Sequence, residues 1–156
     1  MGPPVSGGPP RVYLDTNVFI TAFEHTGAHS DHAWWILESI ERQDIVGATS
    51  ELTLAEVLVN PLEAGAADLA AGYEKMIAPA RGFEVSAVSR KILIGAASLR
   101  AGSKAIRLPD AIHVATAEAL VCKFFISDDR RLPLPGGIRP LAVNAFTLDD
   151  IFKEAE

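Results

Sequence analysis

The segment Val12-Tyr13-Leu14-Asp15-Thr16-Asn17-Val18-Phe19-Ile20 constrains this chain more than any other stretch. An apolar run closes on a carboxylate, two small polar residues follow, and apolar spacing then resumes. Such a run suits a buried strand that delivers Asp15 to the C-terminal edge of a sheet, where Asn17 can cap the next helix. Open α/β sheets carry their chemistry at that edge. Three further acids stand in comparable settings: Glu56 inside an apolar helix, Asp110 in a first helical turn and Asp129 after a strand.

The rest of the chain alternates in the same way. Strands are expected at residues 11–14, 45–49, 82–85, 124–126 and 141–143. Helices are expected at 18–23, 31–40, 52–59, 66–78, 89–101, 109–121 and 147–154. Pro61 should end the third helix by restricting Asn60, Pro79 the fourth, and Gly102 the fifth. Pro109 suits the first turn of the sixth, and Thr147 with Asp150 resembles a capping box. Strands alternating with helices imply an α/β fold with a mostly parallel sheet covered on both faces. No repeat or compositional break separates a second domain, so residues 1–10 read as a flexible Gly/Pro-rich tail and 11–156 as a single domain.

The tail has neither a basic region nor an apolar stretch, so a signal peptide is not expected. No apolar run approaches the roughly 20 residues of a membrane span. The lone Cys122 excludes an intramolecular disulfide, suits a reducing cytoplasm, and reads as a small core residue. A net charge of −6 argues against nucleic-acid binding through a broad basic surface. It leaves room for a nuclease whose carboxylates are neutralised by metal.

Each acid has a structural explanation when taken alone. Asp15 could cap a helix, Glu56 could close a capping box with Thr53, Asp110 could complement a helix dipole, and Asp129 could open a turn. Together they are harder to dismiss, because Asp15, Glu56 and Asp110 interrupt segments suited to burial and carboxylates are seldom buried unpartnered. Crowded carboxylates repel and would partly protonate, whereas a divalent cation removes the conflict. An all-oxygen set selects Mg²⁺ or Mn²⁺ over zinc, and His25, His29, His32 and His113 are too scattered to compete.

Four segments, in order, resemble the motifs of PIN-domain nucleases. They are Asp15-Thr16-Asn17, Ser50 to Val57, Leu108 to Ala117, and Phe125 to Leu132. The likeness spans roughly residues 11–152 and looks closest to the VapC-type toxins of toxin–antitoxin pairs. The resemblance implies a three-layer α/β/α fold with a central parallel sheet. It further implies a Mg²⁺- or Mn²⁺-dependent endoribonuclease whose acids are Asp15, Glu56, Asp110 and Asp129. The family's Thr-x-Asp step becomes Ser127-Asp128-Asp129, which selects Asp129 while leaving the adjacent Asp128 in contention. Thr16, Asn17 and Ser127 would support the acids without ligating.

Other residues have blander readings. His113 stands three positions after Asp110 on nearly the same helix face and reads as a packed or supporting histidine more readily than a catalytic one. Trp34 and Trp35 are adjacent, so at most one faces the core squarely, and the other suits a partner interface or a base. Arg130 and Arg131 read as solvated turn residues with phosphate contact as the functional alternative. The partners expected are RNA, a small antitoxin protein presenting Arg or Lys to the acids, and a second copy of the chain as a homodimer. The rival reading is a non-catalytic α/β signalling or scaffold module with an acidic cation-binding pocket.

Overall fold

The computed structural model describes residues 8–129, 131–144 and 149–151. Arg130, residues 145–148 and most of the expected terminal helix lie outside that range, although Asp149 to Ile151 are helical. Eleven elements follow in chain order: β1 (Arg11–Leu14), α1 (Thr16–Glu24), α2 (Ala28–Glu41), β2 (Val46–Ser50), α3 (Glu51–Glu63), α4 (Ala67–Met76), β3 (Phe83–Ser86), α5 (Arg90–Gly102), α6 (Leu108–Ala119), β4 (Phe124–Ile126) and β5 (Arg139–Leu141). The five strands form one sheet in the order β3-β2-β1-β4-β5, and every pairing is parallel.

Alternation along the central strands divides the core. Val12 and Leu14 of β1, with Phe124 and Ile126 of β4, join a cluster with Val18 and Phe19 of α1, Ile36 of α2 and Tyr73 of α4. Tyr13 and Phe125, pointing the other way, join Ile92 and Ala96 of α5 and Ala111, Val114 and Ala115 of α6. Strands covered on both faces read as continuous apolar runs, and β1 and β4 were recognisable for that reason. The result is the three-layer α/β/α arrangement expected. At Gly47 a Cβ would meet Ile40 Cδ1 at 2.5 Å, so glycine there spares a shift of the Ile40 side chain where α2 seats on β2.

Several boundaries differ from the sequence reading. Pro61 does not end its helix, because α3 continues to Glu63. The ring removes one bond to the preceding turn, but Pro61 is buried and the turn is closed by Ala64 N–H to Asn60 and Ala66 N–H to Pro61 carbonyls. Gly102 is the last residue of α5, with Ser103 as its cap, and does not act as a left-handed stop. The sixth helix ends at Ala119 instead of residue 121, since Val121 adopts φ 55° and Cys122 N–H reaches back to the Ala117 carbonyl at 3.0 Å. The last strand is shifted to Arg139–Leu141, where Pro140 is tolerated because β5 is an edge strand. No described helix is long and apolar enough to cross a membrane.

β1 occupies the centre of the sheet. The chain moves outward through β2 and β3, then returns to place β4 on the other side of β1. The carboxyl ends of β1 and β4 therefore flank a reversal of strand order, which is where open parallel sheets form a crevice.

Candidate active site at the sheet edge

Asp15 occupies that crevice because of its register. Its N–H bonds the Ile126 carbonyl at 3.0 Å, one step beyond the Leu14–Ile126 pair. Its carboxylate Oδ1 accepts the Thr16 N–H at 2.9 Å, and Oδ2 accepts the Ser127 hydroxyl at 2.7 Å. Asp15, and not Asn17, is thus the N-cap of α1. Asn17 instead donates through Nδ2 to Ser127 Oγ at 3.2 Å and accepts the Asp128 N–H at Oδ1, 3.4 Å. Ser127 Oγ also accepts the Asp129 N–H at 3.0 Å, so one hydroxyl ties the ends of β1 and β4 together.

Glu56 arrives from α3. Ser50 caps that helix by accepting the Leu52 N–H, while the Thr53 hydroxyl is buried against Thr49 at 2.7 Å. The Thr53–Glu56 capping box is therefore absent, and Glu56 is released toward the sheet edge. Its Oε1 accepts the Thr16 hydroxyl at 2.9 Å and lies 2.5 Å from His113 Nε2. The same nitrogen lies 3.3 Å from Thr16 Oγ1 and 3.9 Å from Asp15 Oδ1. On the far side of the imidazole, Nδ1 is 2.7 Å from the Tyr13 hydroxyl.

The remaining acids are held differently. Asp110 sits in the first turn of α6, three residues before His113, and pairs with Arg107 Nε at 3.4 Å. Among the described residues no hydrogen bond or ion pair joins it to Asp15, Glu56 or Asp129. Asp129 Oδ1 accepts the Arg131 N–H at 3.0 Å and lies 3.5 Å from Arg131 Nε. Asp128 turns to His29, with Oδ2 at 3.1 Å from Nε2. Arg130 lies outside the described residues. Ser127 and Asp129 also line a cleft of about 480 Å³ whose other walls include Leu132, Leu134, Ile138 and Leu141.

Electrostatics separate the two acids at the centre. Burial raises the Asp15 carboxyl above its ordinary value, against the opposing pull of His113, Ser127 and the Thr16 N–H; Glu56 adds to the rise. Burial also pushes Glu56 upward, but the hydrogen bond and positive end of His113, with help from Thr16, outweigh it and leave the group lowered.

A divalent cation fits this donor set in kind. Asp15 is only 8% exposed and carries a carboxylate whose ionised form is disfavoured by burial, which a nearby cation would relieve. Its neighbours are hydroxyl and carboxylate oxygens, the ligands of hard ions. As the side chains stand, however, no group of three or more acidic, histidine or cysteine residues among the described residues converges closely enough to hold an ion. Asp15 and Glu56 are brought together, Asp129 is reached through Ser127, and Asp110 remains one helical turn from His113.

Sequence reasoning passed over Tyr13 as a contributor and gave His113 only a supporting role. A tyrosine inside a strand otherwise fit for full burial was the available signal, since a buried phenol needs a polar partner.

Known proteins share this architecture. The PIN domain profile matches residues 12–136. A chain in the structure of VapBC2 from Rickettsia felis, bound to a DNA fragment from their promoter, superposes with a TM-score of 0.64 at 17% identity, covering 85% of this chain and 98% of its own. A toxin–antitoxin complex from Klebsiella pneumoniae gives 0.62 at 22% identity, with 86% and 99% covered. DNA-bound VapBC from Salmonella typhimurium gives 0.64 at 18%, with 86% and 98% covered. A comparison with curated proteins finds no significant match. The four acid-bearing segments all fall within the stretch that the profile spans, and the parallel sheet carries the first and last of them to adjoining strand ends. The chain belongs to the PIN-domain family, a family of nucleases.

Proposed function

We propose that the chain is a Mg²⁺- or Mn²⁺-dependent endoribonuclease and the toxin of a type II toxin–antitoxin pair. The observation that carries this reading is Asp15: a buried carboxylate at the reversal of strand order, bonded to the end of β4 and sharing His113 and Thr16 with Glu56. Asp15 and Glu56 would hold the ion, and Asp110 and Asp129 would complete its surroundings after turning away from Arg107 and Arg131. When bound, the ion would supply an activated water for in-line attack on the phosphodiester and would offset charge on the phosphate and leaving oxygen, yielding 5′-phosphate and 3′-hydroxyl ends. The chain's own groups do the positioning. Thr16 and Ser127 donate to the two central carboxylates, and Asn17 keeps Ser127 in place. Arg131 is well placed to meet an RNA phosphate once it releases Asp129.

The partner reading also has a physical basis. A groove of about 630 Å³ lies between α1, α2, α4 and β3, with Phe23, Trp34, Leu37, Met76 and Phe83 among its walls and charges of both signs, Glu38, Glu41, Lys75 and Arg81, lining it. It suits an apolar helix of an antitoxin that also extends Arg or Lys toward the acids. Both tryptophans of α2 are only partly buried, and Trp34 packs on Phe23 at 4.9 Å. The large exposed aliphatics lie elsewhere, including Val59 and Leu62 on α3 and Leu93 and Ile94 on α5. They support self-association through α3 or α5 more than through α2.

The arginines on Asp110 and Asp129 favour the rival, a non-catalytic module. One assay separates them: purified chain is incubated with single-stranded and structured RNA, with Mg²⁺, with Mn²⁺ and with chelator. Metal-dependent cleavage that disappears in Asp15→Asn supports the nuclease. RNA left intact with either metal, by a folded preparation free of antitoxin, rejects it.

A further inference from the structure

Tyr13 and His113 are not among the four acids, yet both are enclosed beside them, at 0% and 1% exposure. We propose that they form a buried relay that holds Glu56 in place. His113 is a positioning residue that fixes the Glu56 carboxylate beside Asp15, and Tyr13 reinforces the imidazole tautomer able to do so. The proposal rests on the nuclease reading for the purpose of holding Glu56. The hydrogen-bond chain itself stands without it.

The protons can be assigned from the partners. Glu56 is ionised near neutrality and only accepts, so the nitrogen 2.5 Å from its Oε1 must carry the hydrogen. A lone pair on Nε2 at that distance would oppose the carboxylate. In the neutral imidazole Nδ1 is then free to accept, and the Tyr13 hydroxyl, 2.7 Å away, donates to it. The phenol, whose ordinary pKa is about 10, is a neutral donor near neutrality, and its hydroxyl is buried against that nitrogen. From the Tyr13 hydroxyl through both imidazole nitrogens to Glu56 Oε1, each polar atom thus has a complementary partner, which a buried network demands.

The relay is anchored at both ends. Tyr13 stacks on Phe125 with ring centroids 5.0 Å apart at 18° and meets His113 edge-on at 5.9 Å. Its strand, β1, also delivers Asp15 two residues later. His113 lies on α6 one turn after Asp110, so the same pair of elements sets the spacing of three acids. Glu56 needs this restraint more than Asp15 does. Its side chain has three rotatable bonds and is 35% exposed, and without His113 the Thr16 hydroxyl is its one remaining hydrogen-bond donor among the described residues. Outer partners that orient a metal-binding group in this manner commonly change metal affinity or activity by 10–100-fold when removed.

The test compares wild type with His113→Leu, His113→Gln, Tyr13→Phe and the double variant Tyr13→Phe/His113→Leu. Glutamine can place an amide N–H near the position of Nε2, so it is the conservative rescue. In the metal-free protein, imidazole ¹⁵N NMR should report the Nε2–H tautomer in wild type and a weaker bias toward it in Tyr13→Phe. Crystal structures should show Glu56 in place in His113→Gln and displaced toward solvent in His113→Leu. Calorimetric titration with Mn²⁺ should then give affinity about 10-fold or more weaker in His113→Leu and within about 3-fold of wild type in His113→Gln. The double variant leaves no unpaired buried phenol and provides the same comparison if His113→Leu does not fold. It should weaken Mn²⁺ binding no further than the single change, because the two residues act as one chain. A wild-type Nδ1–H tautomer, an unmoved Glu56 without His113, or unchanged Mn²⁺ affinity in a folded His113→Leu overturns the relay. A wild type with the expected tautomer and Glu56 position that neither binds Mn²⁺ nor cuts RNA overturns the nuclease reading and leaves the relay supported.

Discussion

The acids divide into two regions that are built by different means. Asp15 and Glu56 are held by side chains distant in sequence: Ser127 for the first, His113 and Thr16 for the second. Asp110 and Asp129 are held by arginines three and two positions away, and those arginines are 82% and 93% exposed. The first region is tied to the sheet edge through these long-range hydrogen bonds. The second can change by rotation of solvated side chains, because exposed ion pairs contribute only about 0–1 kcal/mol. One half of the proposed site is therefore preorganised by the fold, and the other would be adjustable if a cation competed.

The largest expected effect comes from breaking the preorganised half. Asp15→Asn should lower RNA cleavage by more than about 100-fold, exceeding what loss of an outer supporting group typically does. Tenfold more Mg²⁺ should not restore it. Recovery of wild-type rates at high Mg²⁺ would mean that Asp15 is no more committed than the acids paired with arginine.

Within the adjustable half, Asp129→Asn should reduce cleavage about 10-fold or more and Asp128→Asn less than about 3-fold, on the same scale of outer-group effects. Asp129 shares Ser127 with the centre and borders the cleft, whereas Asp128 is turned to His29. The reverse order, measured at matched metal and RNA concentrations, would transfer the fourth acid to Asp128.

Stability of the metal-free protein should separate Asp15 from Glu56. Burial raises Asp15, so its contribution is fully present below its unfolded pKa and is lost as pH rises through the folded value. Glu56 is lowered, despite burial, by His113, so its contribution is present above its unfolded pKa of about 4.3 and is lost as pH falls through the folded value. Lowering pH from neutrality should first let Asp15 stabilise the fold, until Glu56 begins to protonate. Asp15→Asn should raise the metal-free Tm at pH 7.5 by about 2–4 °C, on the order of 1 kcal/mol, and remove the gain on acidification. A lower Tm in thermal unfolding would show that its two hydrogen bonds outweigh the buried charge.

The smallest effect is expected from Arg107→Ala. Freeing Asp110 should tighten Mn²⁺ binding by about 2–3-fold and leave stability within about 0.5 kcal/mol, with the difference fading at high salt. Titration at two ionic strengths checks this. A large gain would place Arg107 as a true competitor for the site.

Much of the architecture was readable because burial leaves a periodic trace. β1 and β4 appeared as apolar runs ending in acids, and the alternation of elements indicated the parallel sheet that links them. The errors lay where tertiary contact overrides local preference. Pro61 remains helical because it is buried and the turn beyond it is closed, and β5 starts earlier because its backbone pairs with β4 despite Pro140. Thr53 resembled the partner of Glu56 in a capping box, but its hydroxyl is taken by Thr49.

By itself the sequence determined which residues carry charge at strand ends and helix starts, since side-chain identity and apolar spacing are local properties. It selected Asp15, Glu56, Asp110 and Asp129 but could not say which of them meet. That was decided by the order β3-β2-β1-β4-β5, which sets Ser127 against Asp15 and brings α3 and α6 to the same edge. The pairing of Tyr13 with His113, 100 residues apart, belongs wholly to that level. A hydrogen bond depends on distance and direction to within fractions of an ångström, and no pattern along a chain carries that information until the sheet has closed.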